Sequence, residues 1–335
     1  LGTIDMESIS SGTYVTQADV KEDTFQINSS NLNSGNSSEI DFQFNETSVK
    51  DGYIDYVHVQ MEKRLNLNNG PLIWFKESDK ENFRVSNLNE STMLWNITDP
   101  YQIQNVSFNT TGTTFSFESP GTAYQFVAFN DGQELVPHMA NRVANQNLHG
   151  LPAADGIIIT HVDFLSAARR LADFRTAHDG MLVEVVTVDQ IYNEFSSGAQ
   201  DVSAIRDFIR FQYDKYDQLR YVLMFGDCSF DYKDRSILST NFVPIYESRN
   251  SLHRLWSYSS DDYFGFMKDG EGEWVENQAG DHTLEIGIGR IPIQSLEDGE
   301  AVVNKILRYQ TNRLGYGQWR NNITFVADDG DNNIH

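Results

Sequence analysis

A chain of 335 residues with 48 acidic and 25 basic side chains has a formal net charge of -23, and 39% of it is hydrophobic with 12% aromatic. That apolar content suffices for about two folded domains and excludes disorder as the main state. The charge argues against nucleic acid and anionic lipid surfaces, which need concentrated basic residues, and favours divalent cations. A single cysteine excludes an internal disulfide.

No run of about 18 apolar residues is present to span a membrane. No basic segment followed by an apolar one opens the chain. Leu1 is not methionine, as expected of a processed or cut N-terminus.

Residues 1–150 read as a β-rich sandwich domain. Val57, Val59 and Met61 alternate with His58, Gln60 and Glu62, and Phe115 and Phe117 alternate with Thr114 and Ser116, the period of half-buried strands. Residues 123–129 (AYQFVAF) predict another strand, and 28–38 and 66–70, rich in Asn, Ser and Gly, predict turns. The N-x-S/T sequons at Asn45, Asn96, Asn105 and Asn322 are expected by chance in so Asn-rich a chain.

From residue 151 the period changes. GIIITHV (156–162) predicts a buried strand, Asp163 caps a helix to Ala177, and MLVEVVTV (181–188) is a second strand. Asp201 caps a helix bearing Ile205, Phe208, Ile209 and Tyr213, followed by the strand RYVLMFG (220–226). This βαβαβ order predicts a doubly wound parallel sheet. A hairpin with arms at 263–267 and 274–276 around a turn at 268–273, and a fourth parallel strand at 284–293, come next. A helix capped by Ser295 and Asp298, with Val302, Val303, Ile306 and Tyr309 on one face, and a fifth strand starting at Ile323 complete the pattern.

Cys228 follows the third of these strands and His161 the first, the edge where open α/β sheets place catalytic groups. A thiolate beside an imidazole would make a peptidase dyad, and a small inert turn residue is the plainer reading. Asp227, together with Asp281, Thr283 and Glu285 on one face of an extended segment, offers oxygen ligands suited to Ca²⁺, or else caps for turns. Asp261–Asp262 and DDGDN (328–332) read as solvated acidic loops, the latter lacking the glutamate of a calcium-binding EF-hand. Dinucleotide and zinc motifs are absent.

The runs ITHVDFLSAARRLADFR (159–175), VVTVDQIYNEFSSGAQDVSAIRDFIRF (185–211), YVLMFGDCSFDYKD (221–234), SSDDYFGFM (259–267), IGIGRIPIQSLEDGEAVVNKILRYQ (286–310) and NNITFVADDGDNNIH (321–335) closely resemble the gingipain-like cysteine peptidases, in particular those acting as C-terminal signal peptidases, or sortases, of the type IX secretion system. The resemblance implies a multidomain β plus α/β protein: an N-terminal β-sandwich, then at 151–335 the first half of a caspase/gingipain-like doubly wound parallel sheet.

It implies an enzyme on the outer-membrane surface of a Bacteroidetes-type bacterium that removes C-terminal sorting domains from secreted cargo. The cargo is then joined to anionic lipopolysaccharide, alongside other type IX secretion components. The family's catalytic His and Cys follow later strands, so none is expected in these 335 residues, and the chain is expected to be the inactive N-terminal portion of a longer polypeptide.

The resemblance matches Asp227, Asp281 and Glu285 to a structural Ca²⁺ site. It places Asn332, with Asp331 adjacent, where arginine-specific members carry an acidic substrate-binding residue. A catalytically silent surface binding module on the same fold is the rival reading.

Overall fold

The computed structural model describes residues 3–6, 15–16, 18–28, 39–43, 52–76, 81–119, 121–122, 124–134, 136, 142–233, 235, 240–254, 256–268, 271, 283–312 and 315–325. The chain divides into two compact units, one of residues 32–143 and one of residues 1–31 with 144–335. No helix among the described residues is long and apolar enough to cross a membrane.

Among the described residues of the 32–143 unit the strands are β1 (Leu72–Phe75), β2 (Asn82–Ser86), β3 (Met93–Asn96), β4 (Gln104–Asn105), β5 (Asn109–Thr111), β6 (Thr114–Glu118) and β7 (Gln125–Phe129). They form two antiparallel sheets, ordered β1-β7-β3-β4 and β2-β6-β5. The alternation is visible in the burial, since Phe115 and Phe117 of β6 are buried while Ser116 and Glu118 are exposed. Inward residues of both sheets share one core, with Trp74 stacked on Phe126 at 5.6 Å and Phe117 edge-on to Phe126 at 5.2 Å.

The strand expected around Val57, Val59 and Met61 is not formed: residues 52–64 are exposed at both parities and carry no ladder. Alternation stabilises a strand only when a neighbouring strand takes its hydrogen bonds and a core takes one face.

In the second unit β8 (Gly156–Thr160), β9 (Val183–Thr187), β10 (Tyr221–Phe225) and β13 (Gly287–Ile291) form one parallel sheet ordered β13-β10-β8-β9. Two short strands, β11 (Tyr246–Glu247) and β12 (Ser259–Ser260), pair with each other. The helices are α1 (Leu165–Asp179), α2 (Val188–Phe195), α3 (Val202–Lys215) and α4 (Leu296–Thr311).

Every residue of β8 is buried, because helices cover both faces. Ile158 packs with Ala168, Leu171 and Val303 of α1 and α4 on one face. Ile157 and Ile159 pack with Ile191, Ile205 and Phe208 of α2 and α3 on the other.

Local chemistry sets the helix ends. Gly180 closes α1 with φ of +71°, which a side chain would strain, and donates its N–H to Thr176 O. Thr187 and Gln190 make a reciprocal capping box on α2. The Asp201 side chain accepts from Ser203 N, and the Ser295 side chain from Asp298 N.

Several expectations change. Asp163 does not cap α1: a 3-10 turn over Val162–Phe164 precedes the helix, and the His161 ring accepts from Asp163 N at 3.3 Å. Residues 262–265 form a 3-10 turn instead of the first arm of a hairpin, whose second arm at 274–276 lies outside the described residues. Tyr309 is 48% exposed on the outer side of α4, away from Val303. Residues 322–325 carry no strand, and the remainder of the expected fifth strand lies outside the described residues.

Candidate functional site

The chain passes from β8 to β9 on one side, then crosses to β10 on the other side of β8. The C-terminal ends of β8 and β10 therefore border the topological switch point, where the two crossovers diverge and leave a crevice. His161 follows β8, and Gly226, Asp227 and Cys228 follow β10.

Arg290 of β13 organises this edge. Its guanidinium forks onto Asp261, Nε donating to Oδ2 at 2.8 Å and Nη2 to Oδ1 at 2.7 Å. Its Nη1 also donates to the carbonyls of Gly226 at 2.8 Å and Val243 at 2.7 Å. Arg290 is 10% and Asp261 19% exposed, so Asp261 belongs to a nearly buried ion pair and not to a solvated loop. Sequence reasoning missed this pair. The signal was an arginine inside the apolar run IGIGRIPI, since a charge carried into a sheet needs a carboxylate partner.

Asp227 is held by its own ties. Its N–H donates to Ile293 O at 2.9 Å, and its carboxylate accepts from Thr240 Oγ1 at 2.8 Å and Gln294 Nε2 at 2.7 Å. The backbone is tight here, because a Cβ on Gly226 would lie 2.8 Å from Val243 Cγ2.

Cys228 is half-buried. Burial pushes its thiol pKa up, and Asp261, Asp227 and Glu247 push the same way against the opposing pull of Arg290. A nucleophilic cysteine needs the reverse, a cationic setting that favours the thiolate. The His161 ring is meanwhile packed edge-on to Phe242 at 5.3 Å. The geometry gives no support to a Cys228–His161 dyad.

Two of the three expected calcium ligands, Asp227 and Glu285, do not come together. In the parallel register Tyr221 pairs with Gly287 and Phe225 with Ile291, so Asp227 lies beyond the C-terminal end of β10 and Glu285 before the N-terminal end of β13. The four residue steps of paired strand alone span about 13 Å, whereas two ligands of one Ca²⁺ lie at most about 5 Å apart.

The Glu285 carboxylate is occupied at its own edge, accepting from Met267 N at 2.9 Å and pairing with Lys268 Nζ at 3.2 Å. Asp227 and Glu285 therefore do not fit one shared ion, and no group of three acidic, His or Cys side chains suited to a metal occurs among the described residues. Asp281, Asp331 and Asn332 lie outside the described residues.

A parallel sheet covered by helices on both faces defines the α/β class, and sequence comparison defines the family. Residues 149–335, more than half of the chain, match peptidase family C25, and the chain belongs to that family of gingipain-like cysteine peptidases. Among solved structures it is similar to dimeric latent PorU from Porphyromonas gingivalis, with 27% identity and a TM-score of 0.65 over 78% of this chain. The match takes in 26% of the PorU chain, so these residues span about a quarter of its length. Comparison with curated proteins finds no match.

Proposed function

We propose that these residues are part of a cell-surface, outer-membrane-associated peptidase and transpeptidase. It cleaves C-terminal sorting domains from cargo of the type IX secretion system and transfers the cargo to anionic lipopolysaccharide, in concert with other components of that system. The observation that carries the reading is the joint likeness to PorU in sequence and fold across 78% of the chain.

The chemistry is acyl transfer. A thiolate forms a thioester with the cargo and releases the sorting domain as the leaving amine. An amine on the acceptor then attacks the thioester and restores the thiol. A histidine shuttles the protons, and N–H donors stabilise the oxyanion. Cys228 is poorly suited to this step because burial and the nearby carboxylates push its thiol pKa up. The reading therefore assigns the nucleophile and base outside these 335 residues. In it, the first-half sheet supports the catalytic half, and Asp331 and Asn332 contribute to substrate binding.

The test uses a polypeptide containing these residues and the catalytic half. It is incubated with a peptide bridging a cargo end and a sorting domain, in the presence of an amine acceptor. Mass spectrometry is expected to show an acyl-enzyme on a cysteine other than Cys228, resolved into the amine conjugate, and unchanged turnover in Cys228→Ala. Loss of the acyl-enzyme in Cys228→Ala would overturn the assignment. Binding of the peptide without cleavage would support the silent-module reading.

A further inference from the structure

On its exposed side, α4 presents Ala301, Lys305, Arg308 and Tyr309 along one stripe, and with Trp319 and Arg320 they line a cavity of about 550 Å³. That volume lies within the range of small-ligand sites, about 300–1,000 Å³. The cavity is separate from the switch-point edge, because Arg308 stands 13 residues, about 20 Å of helix, from Ser295 where α4 begins.

Its charge runs against that of the molecule. The chain has 48 acidic and 25 basic side chains, yet the described lining holds three cations and no carboxylate. With nearly two acids per base, a cluster of cations without carboxylates is the opposite of what solvated surface charge produces.

Arg320 is preorganised. Its guanidinium lies 3.9 Å from the ring centre of Tyr309, 4.4 Å from that of Tyr316 and 5.3 Å from that of Trp319. Its Nη2 donates to Tyr309 O at 2.7 Å, and its Nε is buried without a hydrogen-bond partner among the described residues. Cation–π attraction to the three rings holds the guanidinium in place, so its positive charge is already positioned when an anion enters the cavity. Around these cations Trp319 and Tyr309 remain 57% and 48% exposed, offering flat apolar faces beside the charge.

We infer that this cavity binds an anionic sugar, with a phosphate or carboxylate on Lys305, Arg308 and Arg320 and the ring against Trp319 and Tyr309. Fixed cations take the charged group, and the aromatic faces take the C–H face of a pyranose, which a bare ion does not offer. The inference stands on this cavity and does not depend on the peptidase reading.

The test is titration calorimetry of the 335-residue chain with glucose 6-phosphate, glucuronate, glucose, inorganic phosphate and a Glu-rich peptide. The two anionic sugars are expected to bind saturably, and the comparison between them identifies which anionic group is preferred. Each charge-assisted contact removed in Lys305→Ala or Arg308→Ala weakens binding by about tenfold or more. Both variants keep the parent melting temperature, since both side chains are exposed. Trp319→Ala weakens the sugar phosphate more than inorganic phosphate, because it removes the face for the sugar ring as well as one of the three rings beside Arg320.

Absence of saturable binding by either anionic sugar would overturn the proposal. So would glucose binding as tightly as glucose 6-phosphate, inorganic phosphate matching the sugar phosphate, or a tighter fit for the acidic peptide.

Discussion

Replacing Arg290 with Met removes the group that ties four segments of the C-terminal edge together. The guanidinium serves both oxygens of Asp261 and the carbonyls of Gly226 and Val243. With both partners mostly buried, at 10% and 19% exposure, removing one leaves a carboxylate in a poorly solvated site. Breaking such a pair costs about 3–5 kcal/mol, and the orphaned carbonyls place the effect at the upper end.

For a unit of this size that loss lowers the melting temperature by about 6–20 °C. Asp261→Asn keeps an acceptor for the fork and costs less, about 1–3 kcal/mol. Arg290→Lys fails to restore the parent value because an ammonium cannot fork onto the carboxylate while reaching two carbonyls. Urea unfolding followed by circular dichroism reads all three variants. A loss under about 1 kcal/mol for Arg290→Met, or parental stability for Arg290→Lys, would refute the claim that this pair holds the edge.

Glu194 provides a pH test: burial pushes its carboxyl up, but the N–H groups of Leu148 and His149, the Gln146 amide and the His149 ring outweigh it and hold the pKa down at about 2. Because the folded value is depressed, its stabilisation is complete above the ordinary carboxylate range and fades as pH falls towards about 2; Glu194→Gln should flatten that part of the stability profile, and a parental slope in the variant would count against the assignment. In Gly299→Ala the new Cβ would lie 2.9 Å from Ile293 Cδ1 and 3.3 Å from Ala167 Cβ. Helix propensity returns about 1 kcal/mol and overpacking costs about 1–3, so thermal melting should show a net loss, and stabilisation would mean that the α1–α4 contact yields. Asp227→Asn and Glu285→Gln should be additive within about 0.5 kcal/mol with or without calcium, as for distant sites; a larger coupling that appears only with calcium would restore the shared ion.

Much of the α/β unit was legible because its signals are local and redundant. The apolar run at 156–160 is too short for a helix and too continuous for an exposed strand, and Asp201 and Ser295 cap the helices that begin beside them. The helix α2 was overlooked between β9 and α3 although Thr187-x-x-Gln190 spells its capping box. In the 32–143 unit, Phe115 and Phe117 signalled β6 because a core receives them. Val57 and Val59 carry the same alternation without a partner strand. Periodicity reports the face a strand would bury, not whether another strand is there to pair with it.

The candidate site failed in a different way, through direction and not pattern. Two carboxylates flanking neighbouring strands look adjacent on paper, and in an antiparallel pair the end of one strand does meet the start of the next. A parallel pair reverses that relation: both strands run the same way, so a residue just past the end of one lies a full strand length from a residue just before the start of the other. The βαβ order that predicted a parallel sheet thus already separated Asp227 from Glu285. It equally placed Asp227 beside Ile293 and Gln294, just past the end of β13, and these are the partners its N–H and carboxylate find. Arg290 lies on β13 within the same register, opposite Met224. A long side chain one residue from the strand end can reach past its neighbour to the loop carbonyls, which is how one residue inside the sheet governs the geometry of the edge.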